Sequence, residues 1–336
     1  MTDTHGDGTL AVEVRELLGD RHPVVVAATL SPDGTRLAGL SADLDADFEL
    51  GSISKGITGL LYVDALDRGE ITPSTTLGEL LPLASAPAAA VTLESITTHR
   101  SGLPRLPASA APLRRSVSLW TTGANPYGET LDQLIGQTRG VRLQRPKARY
   151  SNLGFELLGH AIASAAGMTY ADLLHQRIAV PLGLDVFYVP ATPDELRPGA
   201  VIGTSRSGRA RRPWTGEAVG PAGGIRASIR AMAQLTAALL DGSAPGVTAL
   251  DPVARFSGPV RIGAAWITLD RLGRLITWHN GGTGGFRTWI GLDRAAGTGV
   301  VLLSATSLSV DRHGFELLAR LTGQAAAAHR CEPGER

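Results

Sequence analysis

The sequence predicts a mixed α/β (α+β) protein in which one antiparallel sheet is assembled from both ends of the chain and flanked by helices, with a mainly helical lobe inserted between its halves. Three observations predict it. Short apolar runs of strand length lie at about residues 23–30, 35–40 and 46–50, and again between about 260 and 305. Helical periodicity fills much of 52–180 between them. The 336 residues, 43% hydrophobic with a formal charge of +1, are enough for two interlocked lobes with real cores. We therefore assign 1–60 and 200–325 to the sheet lobe, 61–199 to the helical lobe and 326–336 to a disordered tail, the whole forming one domain.

Taken in order, residues 1–8 are polar and acidic, with neither the basic lead nor the apolar core of a secretory signal. No apolar run approaches the ~20 residues of a membrane span, since 24–30 is only strand length. A cytoplasmic protein without a membrane partner is expected. The strand at 46–50 leads into Gly51-Ser52-Ile53-Ser54-Lys55-Gly56, and Ile57, Leu60, Leu61, Val63, Ala65 and Leu66 continue it as a helix. Positions 52 and 55 then share a face about one turn apart.

Lys55 is one of only two lysines in a chain with 30 arginines. Arginine stays protonated in a protein, whereas a buried lysine can give up its proton, so the choice points to a site that needs a titratable amine. A serine hydroxyl is a poor nucleophile until a base takes its proton, and a lysine at i+3 can be that base. At a reference pKa near ~10.4 only roughly one lysine in ~2,500 is neutral at pH 7, so desolvation and neighbours must bring the amine down by about 3 units. Ser-x-x-Lys alone is a weak motif, equally at home on an exposed helix, and two further clusters decide between the alternatives.

The first is Arg149-Tyr150-Ser151-Asn152-Leu153-Gly154, between Pro146 and an apolar helical run. Tyr150 beside a lysinium could have its phenol pKa lowered and pass a proton, while the Asn152 amide could bond Lys55 or a substrate carbonyl. The plain alternative is a helix cap at Ser151 or Asn152 with Tyr150 packed at an edge. The second is Trp278-His279-Asn280-Gly281-Gly282-Thr283-Gly284-Gly285-Phe286, between two strand-like runs. Its glycines admit another backbone or a substrate, and the N–H of Gly282 with that of Ser52 could form an oxyanion hole. The alternative is a turn with a solvated or core-bonded histidine. A phosphate loop is excluded, because strands flank the run and no Gly-Lys-Ser/Thr is present.

In this order, Ser52-x-x-Lys55, Tyr150-x-Asn152 and His279-x-Gly281 resemble the penicillin-recognising SxxK serine hydrolases: class C β-lactamases, DD-peptidases and the esterases that share their fold. The runs 48–55, 98–104, 150–159 and Pro221-Ala222-Gly223-Gly224 also look like family signatures, so the resemblance spans about 20–325. It implies a β-lactamase/transpeptidase-like fold with the site between the lobes. It further implies Ser52 as acylated nucleophile, Lys55 as its base, and Tyr150 as proton relay and activator of the deacylating water. Asn152 would hold Lys55 and the acyl amide, His279 and Asn280 would line the opposite wall where relatives often carry lysine and threonine, and Gly282 would supply the second oxyanion N–H. Neutral His279 and Asn280 weaken carboxylate recognition and tilt the expectation toward small esters, amides or lactones, with a small-molecule acyl substrate as the partner. β-Lactamase, D-alanyl-D-alanine carboxypeptidase, acyl-transferase and a penicillin-binding sensor that acylates without turnover are the alternatives.

The remaining features are quieter. The stretches 84–90 and 107–112 read as surface loops, and 206–213, the only basic cluster, reads as a solvated loop rather than an anion site because it lacks interleaved aromatics. No nucleic-acid partner, cofactor or metal is expected: no histidine pair has zinc spacing, and His99, His160 and His175 read as core-edge residues. Trp120, Trp214, Trp266 and Trp289 are candidates for an acyl pocket or for plain core. The sequence ends with a helix at about 227–241, an amphipathic run at about 311–323, and Cys331, which has no internal disulfide partner.

Overall fold

A computed structural model describes residues 3–106 and 130–328. Among the described residues, nine strands make one antiparallel sheet: β1 (Thr4–Gly6), β2 (Val25–Ser31), β3 (Gly34–Leu40), β7 (Ala254–Ser257), β8 (Val260–Ile262), β9 (Ile267–Arg271), β10 (Arg274–Gly282), β11 (Arg287–Asp293) and β12 (Thr298–Ser304). Their order is β1-β3-β2-β12-β11-β10-β9-β8-β7. The two ends of the chain meet where β2 pairs with β12, from Val25 opposite Ser304 to Leu30 opposite Gly299. A small sheet, ordered β4-β6-β5, joins β4 (Phe48–Glu49), β5 (Phe187–Tyr188) and β6 (Arg226–Ala227).

β2 and β12 are near-continuous apolar runs because the sheet is covered on both faces. Val25, Ala27, Val300 and Leu302 point to a layer formed by the helices Gly8–Leu18 and Asp311–Ala328, where Leu10, Val14, Leu317, Leu318 and Leu321 are buried. Val26, Ala28, Val301 and Leu303 point the other way, into the core shared with Met232, Leu235 and Leu239 of the helix Ile229–Asp241. The period of two thus divides one hydrophobic run between two cores.

Three boundaries differ from the sequence expectation. The polar N-terminus enters the structure at once: β1 pairs with β3, and Asp7 accepts from the Leu10 N–H at 2.8 Å to cap the helix Gly8–Leu18. The edge strand β7 precedes the expected onset near 260, alternating half-buried and exposed residues rather than showing an apolar run. The closing helix extends to Ala328, so 326–328 are helical rather than tail, in keeping with the helix propensity of the alanine run that begins at 325. The stretch 107–112, Trp120 and Cys331 lie outside the described residues. Among the described residues no helix is long and apolar enough to cross a membrane.

The small sheet carries a buried charge network. Arg226, wholly buried, bonds Asp47 at 2.9 Å and Glu49 at 3.1 Å, and Tyr188 donates to Asp47. Arg226→Ala would leave two buried carboxylates without their cation, so it is expected to cost about 3–5 kcal/mol of stability in urea unfolding. A loss under 1 kcal/mol would mean that the network is wetter than it looks.

Candidate active site

The chain reaches the site through β4. Leu50 N–H bonds the Ile225 carbonyl at 2.9 Å, and the Leu50 carbonyl accepts from Thr288 Oγ1 of β11 at 2.7 Å. Gly51, at φ 55°, then turns the chain left-handed, a conformation that favours glycine, and delivers Ser52 to the N-cap of the helix Ile53–Asp67. That helix is apolar on nearly every side and runs through the core, which is why Lys55 is fully buried. Lys55 Nζ lies 3.2 Å from Ser52 Oγ and also donates to the Ala222 carbonyl.

The turn Gly220–Gly224 that presents this carbonyl is itself held. Thr58 Oγ1 lies 2.8 Å from the Pro221 carbonyl and 2.7 Å from the Tyr170 hydroxyl. Gly159 gives the turn room, since a Cβ there would overlap the Pro221 ring. Tyr150 completes the core of the site: its hydroxyl bonds Ser52 and its ring centroid is 4.9 Å from Lys55 Nζ. His99 packs against that ring at 4.6 Å between centroids and accepts from the Ser151 N–H at 3.2 Å. Ser151 is the cap of the helix Asn152–Ala165, taking the Gly154 N–H at 2.9 Å, while the next residue, Asn152, lines the cavity.

Burial dominates the electrostatics. Desolvation brings the Lys55 amine down to about 7; Glu156 opposes the shift and Arg105 adds to it. A share of the amine large enough to act as a base is then neutral near pH 7. Desolvation also pushes the Tyr150 phenol up to about 12, against the Ser52 hydrogen bond and the Arg105 charge. This reverses the expected lowering, because loss of water outweighs the neighbouring cation. A serine hydroxyl between a near-neutral amine and an intact phenol has a proton acceptor on one side and a donor on the other.

The opposite wall is the end of β10. Asn280, Gly281 and Gly282 line the same cavity of about 980 Å³ as Ser52, Tyr150 and Asn152. Gly51 and Gly282 meet backbone to backbone, a Cβ on Gly51 falling 2.5 Å from Gly282 N. His279 does not line the cavity as expected. It is 1% exposed behind the wall, edge-on to Trp266, with Nδ1 2.7 Å from the Asn280 carbonyl, and burial drives it down to about 4. The strand's alternation carries it inward.

At Gly281 an added Cβ would overlap the Leu50 carbonyl oxygen and crowd Thr288 Oγ1. Gly281→Ala must displace the turn two residues before Ser52. We expect a loss of about 1–3 kcal/mol in stability with a fall of at least about tenfold in turnover of any Ser52-dependent substrate. Unchanged thermal unfolding and unchanged rates would show that this contact does not set the turn.

The comparisons agree with this architecture. Residues 13–323 match the model of the Beta-lactamase family, so the chain belongs to the β-lactamase family, a family of hydrolases. It is 32% identical over 160 residues to the D-alanyl-D-alanine-carboxypeptidase/endopeptidase AmpH of Escherichia coli (strain K12), covering 46% of this chain and 40% of that protein. It is 28% identical over 263 residues to the unguisins hydrolase ungD' of Aspergillus campestris, covering 69% and 45%. The chain thus spans less than half the length of these curated relatives. The β-lactamase/D-alanine carboxypeptidase of Pseudomonas syringae superposes with a TM-score of 0.77 at 18% identity, over 97% of this chain and 99% of that one. The octameric penicillin-binding protein homologue of Pyrococcus abyssi gives 0.79 at 20%, over 94% and 77%. The fold is that of β-lactamases and transpeptidases.

Several residues at the site carried no signal in the sequence. Arg105 and Arg287 line the cavity from separate segments, and the Ala222 carbonyl is a backbone group with no residue-type signature; Trp214, a candidate for the acyl pocket, does line the cavity, as does Arg211 of the basic stretch. Trp266 and Trp289 are core. His99 and His160 are buried, but His175 is exposed on its helix.

Proposed function

We propose that the protein hydrolyses small esters or amides through an acyl-enzyme on Ser52. The observation that carries this is the 3.2 Å approach of Ser52 Oγ to a wholly buried Lys55 whose amine is brought down to about 7, open to a substrate-sized cavity. Ser52 Oγ attacks the acyl carbon as its proton passes to Lys55, and the N–H groups of Ser52 and Gly282 take the developing oxyanion. Tyr150 protonates the departing alcohol or amine. It then recovers a proton from the water that attacks the ester, Lys55 returns its proton to the departing Ser52 Oγ, and acid product and free serine result. Asn152 orients the acyl carbonyl. The Asn280-Gly281-Gly282 edge carries no ammonium group, so a carboxylate on the substrate would be met by the arginines of the cavity rather than by this edge.

A second reading, D-alanyl-D-alanine carboxypeptidase or β-lactamase, is supported by the likeness to AmpH. The test compares p-nitrophenyl butyrate, a chromogenic cephalosporin and an acyl-D-Ala-D-Ala peptide, with product release and intact-protein mass followed in the same samples. Ester turnover with a transient adduct and little cleavage of the other two is the expected result. Preferential peptide or cephalosporin turnover establishes the second reading, and a stable adduct without turnover would make the protein a sensor.

A further inference from the structure

The cavity that holds Ser52 is strongly cationic. Among the described residues, four arginines line it, Arg105, Arg206, Arg211 and Arg287, against two carboxylates, Glu156 and Asp311. Asp311 is engaged by the Asn280 amide at 2.8 Å, and Glu156 is buried at the Lys55 end. The 206–213 stretch is therefore not the plain solvated loop its composition indicates, because part of it closes over the site.

That loop is built rather than draped. Thr204 N–H and Oγ1 both bond the Ala305 carbonyl at 2.9 Å, and Arg211 N–H bonds the Gly203 carbonyl at 2.8 Å. Ser205 Oγ accepts from the N–H groups of Ser207 and Arg209, at 3.3 and 3.1 Å. Gly203 and Gly285 lie so close that a Cβ on Gly285 would stand 2.6 Å from Gly203 C. Arg206 and Arg211 are thus presented on a fixed turn. Arg287, at the start of β11, is fixed separately, Nη1 donating to the Thr283 and Phe286 carbonyls at 2.8 Å each. Burial, and after it the Arg206 charge, holds the Arg287 guanidinium below its ordinary range, with the Asp311 carboxylate opposing. Two guanidiniums that repel in the free protein are stabilised together by a ligand with negative charge to share between them. Ser205, Ser207, Ser307 and Ser309 line the same side of the cavity and add hydroxyl donors.

We propose that the substrate is a dianionic acyl compound, carrying two separated carboxylates that the Arg206–Arg287 pair and the arginines on the other walls bind together. The cations come from three separate segments, which suits spaced charges better than one concentrated phosphate. The proposal rests on Ser52 being the nucleophile of the same cavity, and its test is arranged so that either part can fail alone.

Three esters share the butanoyl group and differ in the charge of the phenol that leaves: 5-(butanoyloxy)isophthalate, 3-(butanoyloxy)benzoate and the neutral 5-(butanoyloxy)isophthalamide. The expected result is that kcat/KM rises from neutral to dianionic by about 100-fold at low ionic strength and that the preference shrinks with added salt. Arg206→Gln and Arg287→Gln should each lower the dianion-to-neutral ratio about tenfold, whereas Arg230→Gln, a surface residue paired with Asp45, should leave it unchanged. If Arg287→Gln fails to fold, Arg206→Gln on its exposed loop carries the test. Calorimetry of 5-hydroxyisophthalate and its diamide on Ser52→Ala protein measures the same preference without catalysis. Tighter dianion binding without turnover of any ester would support the anion site and overturn Ser52 hydrolysis. Ester turnover with no charge preference in rate or affinity would overturn the dianion and leave the hydrolase.

Discussion

Ser52→Ala is expected to abolish ester turnover and the mass of any covalent intermediate while leaving the fold unchanged. Removing Oγ deletes the atom proposed to carry the acyl group, and it leaves little void: Ser52 is partly exposed at a helix start, and its side chain makes no capping bond. The residual rate should fall to that of a binding cavity with oxyanion donors but no nucleophile, a loss on the order of 10³-fold or more. Intact-protein mass after rapid mixing with p-nitrophenyl butyrate checks it. Wild-type rates in the variant would place the nucleophile elsewhere.

Lys55→Arg is the second large effect. The guanidinium keeps the charge but cannot give up its proton near neutrality, so the base is lost and kcat/KM should drop at least ~100-fold. The pH profile separates base from mere cation. For the wild type, kcat/KM should rise through about 7 as the buried amine becomes neutral and then level off. The variant should lack that limb, and a fully active variant would reduce Lys55 to an electrostatic role. The same depressed pKa has a cost for folding. The unfolded chain binds the Lys55 proton up to its ordinary value and the folded chain only up to about 7, so this residue makes stability rise with pH between those values and weighs against the fold below them. Lys55→Met is therefore expected to raise the thermal midpoint at pH 6 while eliminating activity. A lowered midpoint would mean that the bond to Ala222 outweighs the buried charge.

What the sequence disclosed follows from what its residues do locally. β2, β12 and the Ser52 helix were legible because burial on both faces leaves long apolar runs, and Lys55 because a lysine in an arginine-rich chain is chemically marked. Tyr150 and Asn152 stood out by their spacing. The polar segment 4–18 was not legible, since one capping aspartate and four buried positions, Leu10, Ala11, Val14 and Leu18, are enough to dock it on β3 and β2 and on the core shared with the closing helix. The direction of the Tyr150 shift was missed because it depends on the depth of burial rather than on the neighbour named in the motif. The cationic cavity was missed for a related reason. Arg105, Arg206 and Arg287 are distant in sequence, and an arginine-rich loop looks alike in water and over a site.

The glycine run 281–285 touches two things that differ in what they must conserve. At Gly281 and Gly282 it abuts the turn before Ser52, and at Gly285 it abuts the base of the loop that bears Arg206 and Arg211. The Ser52 turn and the loop proposed to select the substrate thus rest on the same short rail. A protein arranged in this way can exchange its diet by rewriting one surface loop while its acylation machinery stays in register. Transplanting 204–211 between relatives of this fold should accordingly move substrate choice and leave the chemistry in place.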